Sequence, residues 1–156
     1  MPEPSIRRLG VDDLPALYAL EQVAQPLGWS EEALLVELVH EDAVVLGVVD
    51  DDDVPVASVV VRQIVDELWI LNIATHPDHR RRGHADRLLS LAATQRPAKG
   101  GPTPTSLWLE VREGNTGARA LYTRHGFVVV GVRPGYYPGL TGGAREAAVL
   151  MRRSLV

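Results

Sequence analysis

The stretch ELWILNIAT at residues 67 to 75 most constrains the fold. It is apolar on both alternating faces, as in a strand near the middle of a sheet that is covered on both sides. Such a strand needs packing layers above and below, and the flanking sequence supplies them. After a short polar loop, Ala85, Leu88, Leu89, Ala92 and Ala93 recur at the spacing of one helical face. Ala118, Leu121, Tyr122 and His125 share the face of a later helix, and Gly126 is placed to end it in a left-handed conformation.

The remaining segments fall into the same two classes. SIRRL reads as a short first strand, and Asp12 or Asp13 is expected to cap a helix carrying Leu14, Leu17, Tyr18 and Ala24, with Pro15 in its first turn. Ser30 starts a second helix, with Glu31 and Glu32 at its positive end. AVVLGVV and VPVASVVVRQIV are β-branched strands joined by the acidic run at 50 to 53, read as a solvated hairpin tip. SLWLEV, FVVVGVRPGYY and REAAVLMRR supply three more strands. The order is β-α-α-β-β-β-α-β-α-β-β, a mixed α/β (α+β) sheet, with neither an internal repeat nor a linker, so residues 1–156 are expected to form one domain.

Composition narrows the partners. With 16 Lys and Arg against 20 Asp and Glu, the net charge is −4, so the chain is not a nucleic-acid polycation and Arg80, Arg81 and Arg82 form a local feature. The absence of cysteine removes disulfides, thiolate metal ligands and a cysteine nucleophile together. No apolar leader or membrane-length run is present, which makes a soluble cytoplasmic protein the expectation. His76, His79 and His84 straddle a Pro-Asp turn and a helix start without the i, i+4 pairing of a helical zinc motif. They are expected to be solvated loop side chains, and no metal site is expected.

The junction after the central strand carries the clearest chemical signal. A buried strand runs into HPDHRRRGHAD and then a helix. Unpaired N–H groups at a helix N-terminus form an anion site, and small residues allow close backbone approach. Arg80-x-x-Gly83-x-Ala85 has that composition.

This order of elements and this motif resemble the GNAT superfamily of acyl-CoA-dependent N-acetyltransferases, which carries Q/R-x-x-G-x-G/A at the helix after its fourth strand. The resemblance implies acetyl-CoA as co-substrate. Its pyrophosphate would lie on backbone N–H groups of Arg81, Arg82, Gly83, His84, Ala85 and Asp86, with Arg80 at the rim. Ile73, Ala74 and Thr75 would pair with the pantetheine arm and polarise the thioester carbonyl. Ala85 replaces the commoner second glycine, which the family allows. Asp86 stands where a basic or neutral residue is more usual, so its carboxylate should turn away from the phosphates or weaken binding.

Over most of the chain the likeness is to a narrower group. NIATHPDHRRRG, LWLEVREGNTGARALYTRHGF, GYYP, REAAVLM and the Trp-Ser of LGWSEE look like the bacterial ribosomal-protein-alanine N-acetyltransferases. The resemblance implies acetyl transfer to a protein N-terminal amine, most specifically the N-terminal alanine of a small-subunit ribosomal protein. Glu110 then stands at the position of the base, Tyr122 at that of the acid and Asn115 at a cofactor contact. Trp29, Tyr136 and Tyr137 would border the peptide groove. With no cysteine for an acyl-enzyme, direct transfer in a ternary complex is expected. No membrane or nucleic-acid partner is expected.

Residue by residue, plainer readings stand beside these. Glu110 is also what a solvent-facing strand position paired with Arg112 or another arginine looks like, and Tyr122 lies on an apolar helical stripe suited to core packing. Other functional readings are a GNAT enzyme acting on a small amine or a lysine side chain, and a non-catalytic CoA- or nucleic-acid-binding module.

Overall fold

The computed structural model describes residues 4–139 and 142–156. Its strands are β1 (Ser5–Arg8), β2 (Ala43–Val49), β3 (Pro55–Ile64), β4 (Glu67–Thr75), β5 (Ser106–Arg112), β6 (Val128–Tyr137) and β7 (Glu146–Ser154). The helices are α1 (Leu14–Ala24), α2 (Glu31–Val39), α3 (His84–Ala92) and α4 (Thr116–Arg124), with short 3-10 turns at Val11–Asp13 and Pro77–His79. One sheet has the order β1-β2-β3-β4-β5-β7-β6. Only β4 and β5 run parallel; every other neighbouring pair is antiparallel.

Alternation along the strands sorts the core into two layers. Val44, Leu46 and Val48 of β2 face the larger cluster, which takes in Leu88, Leu89 and Ala92 of α3 together with Tyr122 and Phe127. Val45 and Val60 face the other way, onto Leu17, Leu20 and Leu34 of α1 and α2. This is why β2 is buried at every position. The β2–β3 hairpin turns on the acidic run, where Asp50 Oδ1 accepts from Asp52 N at 2.9 Å and Val54 N at 3.0 Å. Ser30 caps α2 through its Oγ, which accepts from Ala33 N at 3.1 Å. Gly126, at φ +87°, follows α4 in the left-handed region.

Three expectations need correction. Asp13 occupies the N-cap position of α1 but makes no side-chain cap bond. Its carboxylate accepts from the Arg7 guanidinium at 2.8 and 3.0 Å and from Gly10 N at 2.8 Å. The arginine, which also reaches Asp53, holds Asp13 below the usual carboxylate range. The central strand β4 is not buried on both sides either: only Leu68, Ile70 and Ala74 are fully covered. Helices α1 and α2 shield the β1–β4 part of their face, and β4 runs past them to the edge of an open cleft.

The third correction concerns His84, which is 3% exposed rather than solvated. Among the described residues neither ring nitrogen has a hydrogen-bond partner. Burial, and then the positive charges of His79, Arg87 and Arg82, lower its pKa from the ordinary 6.5. A neutral buried imidazole with two unpaired nitrogens destabilises the fold. The unfolded chain takes up a proton that the folded His84 refuses, so this residue makes stability fall as pH drops through about 6.5. His84→Leu is therefore expected to raise stability by about 1–2 kcal/mol near neutrality. Its melting temperature should also fall less than that of the wild type between about pH 7.5 and about pH 5.5. Equal or lower melting temperatures for the variant at both values would contradict this reading of His84.

Candidate active site

The cleft begins where two parallel strands part. β4 and β5 pair only from Glu67↔Ser106 to Ile70↔Leu109. Beyond that point β4 stays with β3 alone and β5 with β7 alone. An irregularity marks the divergence: on β3, Val60 pairs with Asn72 but Val61 pairs with Ile70, which leaves Leu71 as an extra residue in β4. A bulge of this kind bends and twists its strand. The separated edges enclose a cleft of about 850 Å³, closed by the start of α3, by α4 and by the segment after α1. Ile73, Ala74 and Thr75 line it and present alternate backbone N–H and C=O groups with no partner strand on that side.

At one end lies the strand–loop–helix junction that the sequence singles out. Arg81 at φ +64° and Gly83 at φ +77° are both left-handed and bracket Arg82. Turns of this sort aim successive N–H groups at a common point. The first backbone bond of α3 runs from Arg87 N to Gly83 O at 3.1 Å, so Gly83, His84, Ala85 and Asp86 precede the helical ladder. A Cβ built on Gly83 meets nothing within 4 Å, leaving open space over the donors. An unpaired run of donors facing open space fits a pyrophosphate.

The three arginines divide their tasks. Arg81 lines the cleft beside these donors. Arg80 lines it too, while its guanidinium donates to Ala24 O at 3.2 Å and ties this loop to the end of α1. Arg82 lies against His79 Nδ1 at 3.2 Å and is not among the lining residues. Asp86, the acid at the mouth, turns toward α4: its Oδ1 is 2.8 Å from His125 Nε2 and 3.4 Å from an Arg124 nitrogen. His125 first and Arg124 second hold its pKa below the usual range. The negative charge is thus compensated by α4 instead of facing the donors alone.

Glu110 and Tyr122 line the same cleft, from β5 and α4. The Glu110 side chain is 17% exposed, and one oxygen lies 3.4 Å from an Arg133 nitrogen. Its other expected partner, Arg112, instead bonds Glu146 at 3.2 Å and Pro138 O at 2.8 Å. Tyr122 is buried against Phe127, and burial, with Tyr137 second, pushes its phenol up to about 12. It therefore keeps its proton at neutral pH. Asn115 also lines the cleft and caps α4, its Oδ1 accepting from Ala118 N at 3.2 Å.

Trp29 and Tyr137 line the cleft as well, whereas Tyr136 is 46% exposed and outside the lining. Arg112 sits 4.6 Å above the Tyr137 ring. Burial first, and then the charge of Glu110, pushes the Tyr137 phenol up to about 12.

One feature of this wall escapes reading along the chain. Glu21 of α1 is 1% exposed and accepts from Asn72 Nδ2 at 2.8 Å, Trp29 N at 2.8 Å and Gln25 Nε2 at 3.0 Å. Gly28 fits because it lacks a side chain: a Cβ there would lie 2.9 Å from Glu21 Cγ. The available signal is a glutamate on the apolar face of α1, one residue after Leu20. Among the described residues no group of three potential ligands could hold a metal ion, and no helix is long and apolar enough to cross a membrane.

Residues 14–127 match the model of the acetyltransferase (GNAT) family. The chain is 35% identical over 140 residues to the [ribosomal protein bS18]-alanine N-acetyltransferase of Haemophilus ducreyi, covering 89% of this chain and 92% of that one. It is equally identical over 148 residues to the enzyme of that name from Escherichia coli, covering 94% and 95%. The crystal structure of the Escherichia coli ribosomal-protein-S18-alanine N-acetyltransferase superposes with a TM-score of 0.85 at 32% identity, over 97% of this chain and 93% of that one. Arabidopsis thaliana NAA60 in complex with acetyl-CoA shares the fold, with a TM-score of 0.83 at 19% identity over 96% and 97%. A parallel pair that parts over a helix N-terminus, within a chain matched at this level, has one assignment: the protein belongs to the GNAT acetyltransferase family.

Proposed function

We propose that this chain works as one GNAT domain that acetylates the α-amine of a protein N-terminus, with the N-terminal alanine of ribosomal protein bS18 as its acceptor. The observation that carries the catalytic reading is the single cleft joining the free donors of α3 to Glu110 and Tyr122. The acceptor reading rests on 35% identity to curated enzymes of that name over nearly the whole chain.

Acetyl-CoA supplies the acetyl group as a thioester. The N–H groups of Gly83, His84, Ala85 and Asp86 would hold its pyrophosphate, with Arg81 adding positive charge. Ile73, Ala74 and Thr75 would pair with the pantetheine arm as an added strand. A free N–H on this stretch of β4 would donate to the thioester carbonyl oxygen, where negative charge builds up.

Glu110 takes the proton that the acceptor must lose. An α-ammonium titrates near about 8 and is mostly protonated at neutral pH, so it lacks a free lone pair until a base acts. Tyr122 faces the departing sulfur. A phenol held at about 12 does not hand its proton fully to an ordinary thiolate, whose thiol titrates near about 8.5. Tyr122 therefore stabilises the developing thiolate by donating a hydrogen bond and keeps its proton; the second proton, shed by nitrogen as the amide forms, passes through solvent to the thiolate, which leaves as the thiol.

Three substitutions test these roles. Glu110→Gln should lower kcat on an Ala-initiated peptide by about 100-fold or more with little change in the acetyl-CoA KM. The defect should shrink as pH rises above about 8, where the amine deprotonates by itself. Tyr122→Phe should lower kcat on the order of a hundredfold at every pH below about 10. Gly83→Val forces a β-branched residue into a left-handed conformation beside the donors, and its CoA affinity should fall at least tenfold. A thiol-release assay on the peptide, with calorimetry for CoA, reads all three; near-wild-type rates for Glu110→Gln at neutral pH remove Glu110 as the base. Competition between the Ala-peptide and free lysine or an aminoglycoside decides the acceptor class, and preference for the small amines would overturn the peptide assignment.

A further inference from the structure

Gln25 lines the cleft, and the orientation of its carboxamide is fixed. Nε2 lies 2.7 Å from Asn72 Oδ1, 3.0 Å from Glu21 Oε2 and 3.2 Å from Glu21 Oε1. Turning the amide over would set its carbonyl oxygen against three acceptor oxygens, so only one orientation is stable. Both N–H groups are committed inward, and Gln25 has none left to donate. Its Oε1 accepts no hydrogen bond from the described residues, on a side chain that lines the cleft. Asn72 is held in turn, with Nδ2 donating to Glu21 at 2.8 Å. The buried Glu21 carboxylate thus acts at a distance, fixing the amide so that Oε1, on a side chain that lines the cleft, is the atom left without a partner among the described residues.

We infer that Gln25 is a specificity-determining residue whose Oε1 accepts a hydrogen bond from the backbone N–H that follows the N-terminal residue of the acceptor. This rests on the peptide-acetylating reading of the site. The acceptor's own α-amine must give up a proton and turn its lone pair to the thioester, so it is not the donor held here. The donor that every peptide offers one residue further on is its next amide N–H. A small amine lacks that group, and a proline in second position removes it. Gln25 stands on the β4 side of the cleft and Glu110 on the β5 side, so a peptide end between them can engage both.

The test is a double-mutant cycle between protein and substrate. Wild type and Gln25→Leu are assayed on an Ala-initiated peptide and on the same peptide N-methylated at its second residue. Each change alone should lower kcat/KM roughly three- to tenfold through the peptide KM, as expected for one hydrogen bond. The two together should cost no more than either alone, with kcat and the acetyl-CoA KM unchanged. Gln25→Met, which keeps the length of the side chain, should give the same cycle and guards against a packing defect in the leucine variant. Losses that multiply, or an unchanged peptide KM in both variants, overturn the assignment of Gln25. Absence of transfer to the parent peptide by the wild type overturns the proposed function itself, and is read separately from the cycle.

Discussion

The separation of β4 from β5 after Ile70 and Leu109 is the constraint on which the rest of the site depends. Parallel strands in a sheet normally satisfy each other's backbone along their whole length, and an edge left open in the interior costs free energy unless something else pairs with it. Here the open edge belongs to Ile73, Ala74 and Thr75, and α3 starts just beyond it with its first N–H groups unpaired. An extended ligand with amides along its length and an anion at its end satisfies both. The cleft is thus a polar vacancy in the sheet, shaped by one extra residue, Leu71, in β4.

Both acids that line the opening have a cationic neighbour, Asp86 in His125 and Arg124 and Glu110 in Arg133. Two acids outside the lining are paired as well, Glu146 with Arg112 and Glu37 with Arg62. Glu21 is the exception: no salt bridge reaches it among the described residues, and amide and backbone N–H groups hold it instead. Neutral donors can stabilise a buried carboxylate while leaving its field uncancelled. That network fixes the side-chain amides of Gln25 and Asn72, both of which line the cleft.

Much of this architecture is legible along the chain because the relevant signals are local. The β-branched runs, the acidic hairpin tip, the Ser30 cap and the period of α3 each depend on residues within a turn or two of one another. The run of free backbone donors at the start of α3 is legible for the same reason, since glycine and a helix start are adjacent in sequence. Contacts between distant segments are not. Asp13 gives up its capping role because Arg7 is drawn to it and also to Asp53, across the β2–β3 hairpin. His84 faces inward at the first position of α3, which no spacing rule reveals. Arginines that look equivalent in sequence separate in space: Arg81 lines the cleft while Arg82 packs on a histidine. The Glu21 network joins positions 21, 25, 29 and 72, so it exists only once α1 lies across β4.

The most direct test is a crystal structure of the protein with acetyl-CoA bound. The pantetheine amides should pair with the backbone of Ile73, Ala74 and Thr75, and the pyrophosphate should accept from the N–H groups of Gly83, His84, Ala85 and Asp86. The thioester should lie between Glu110 and Tyr122. A ligand bound outside the β4–β5 opening, or a pantetheine arm that makes no main-chain bonds to β4, would contradict the account.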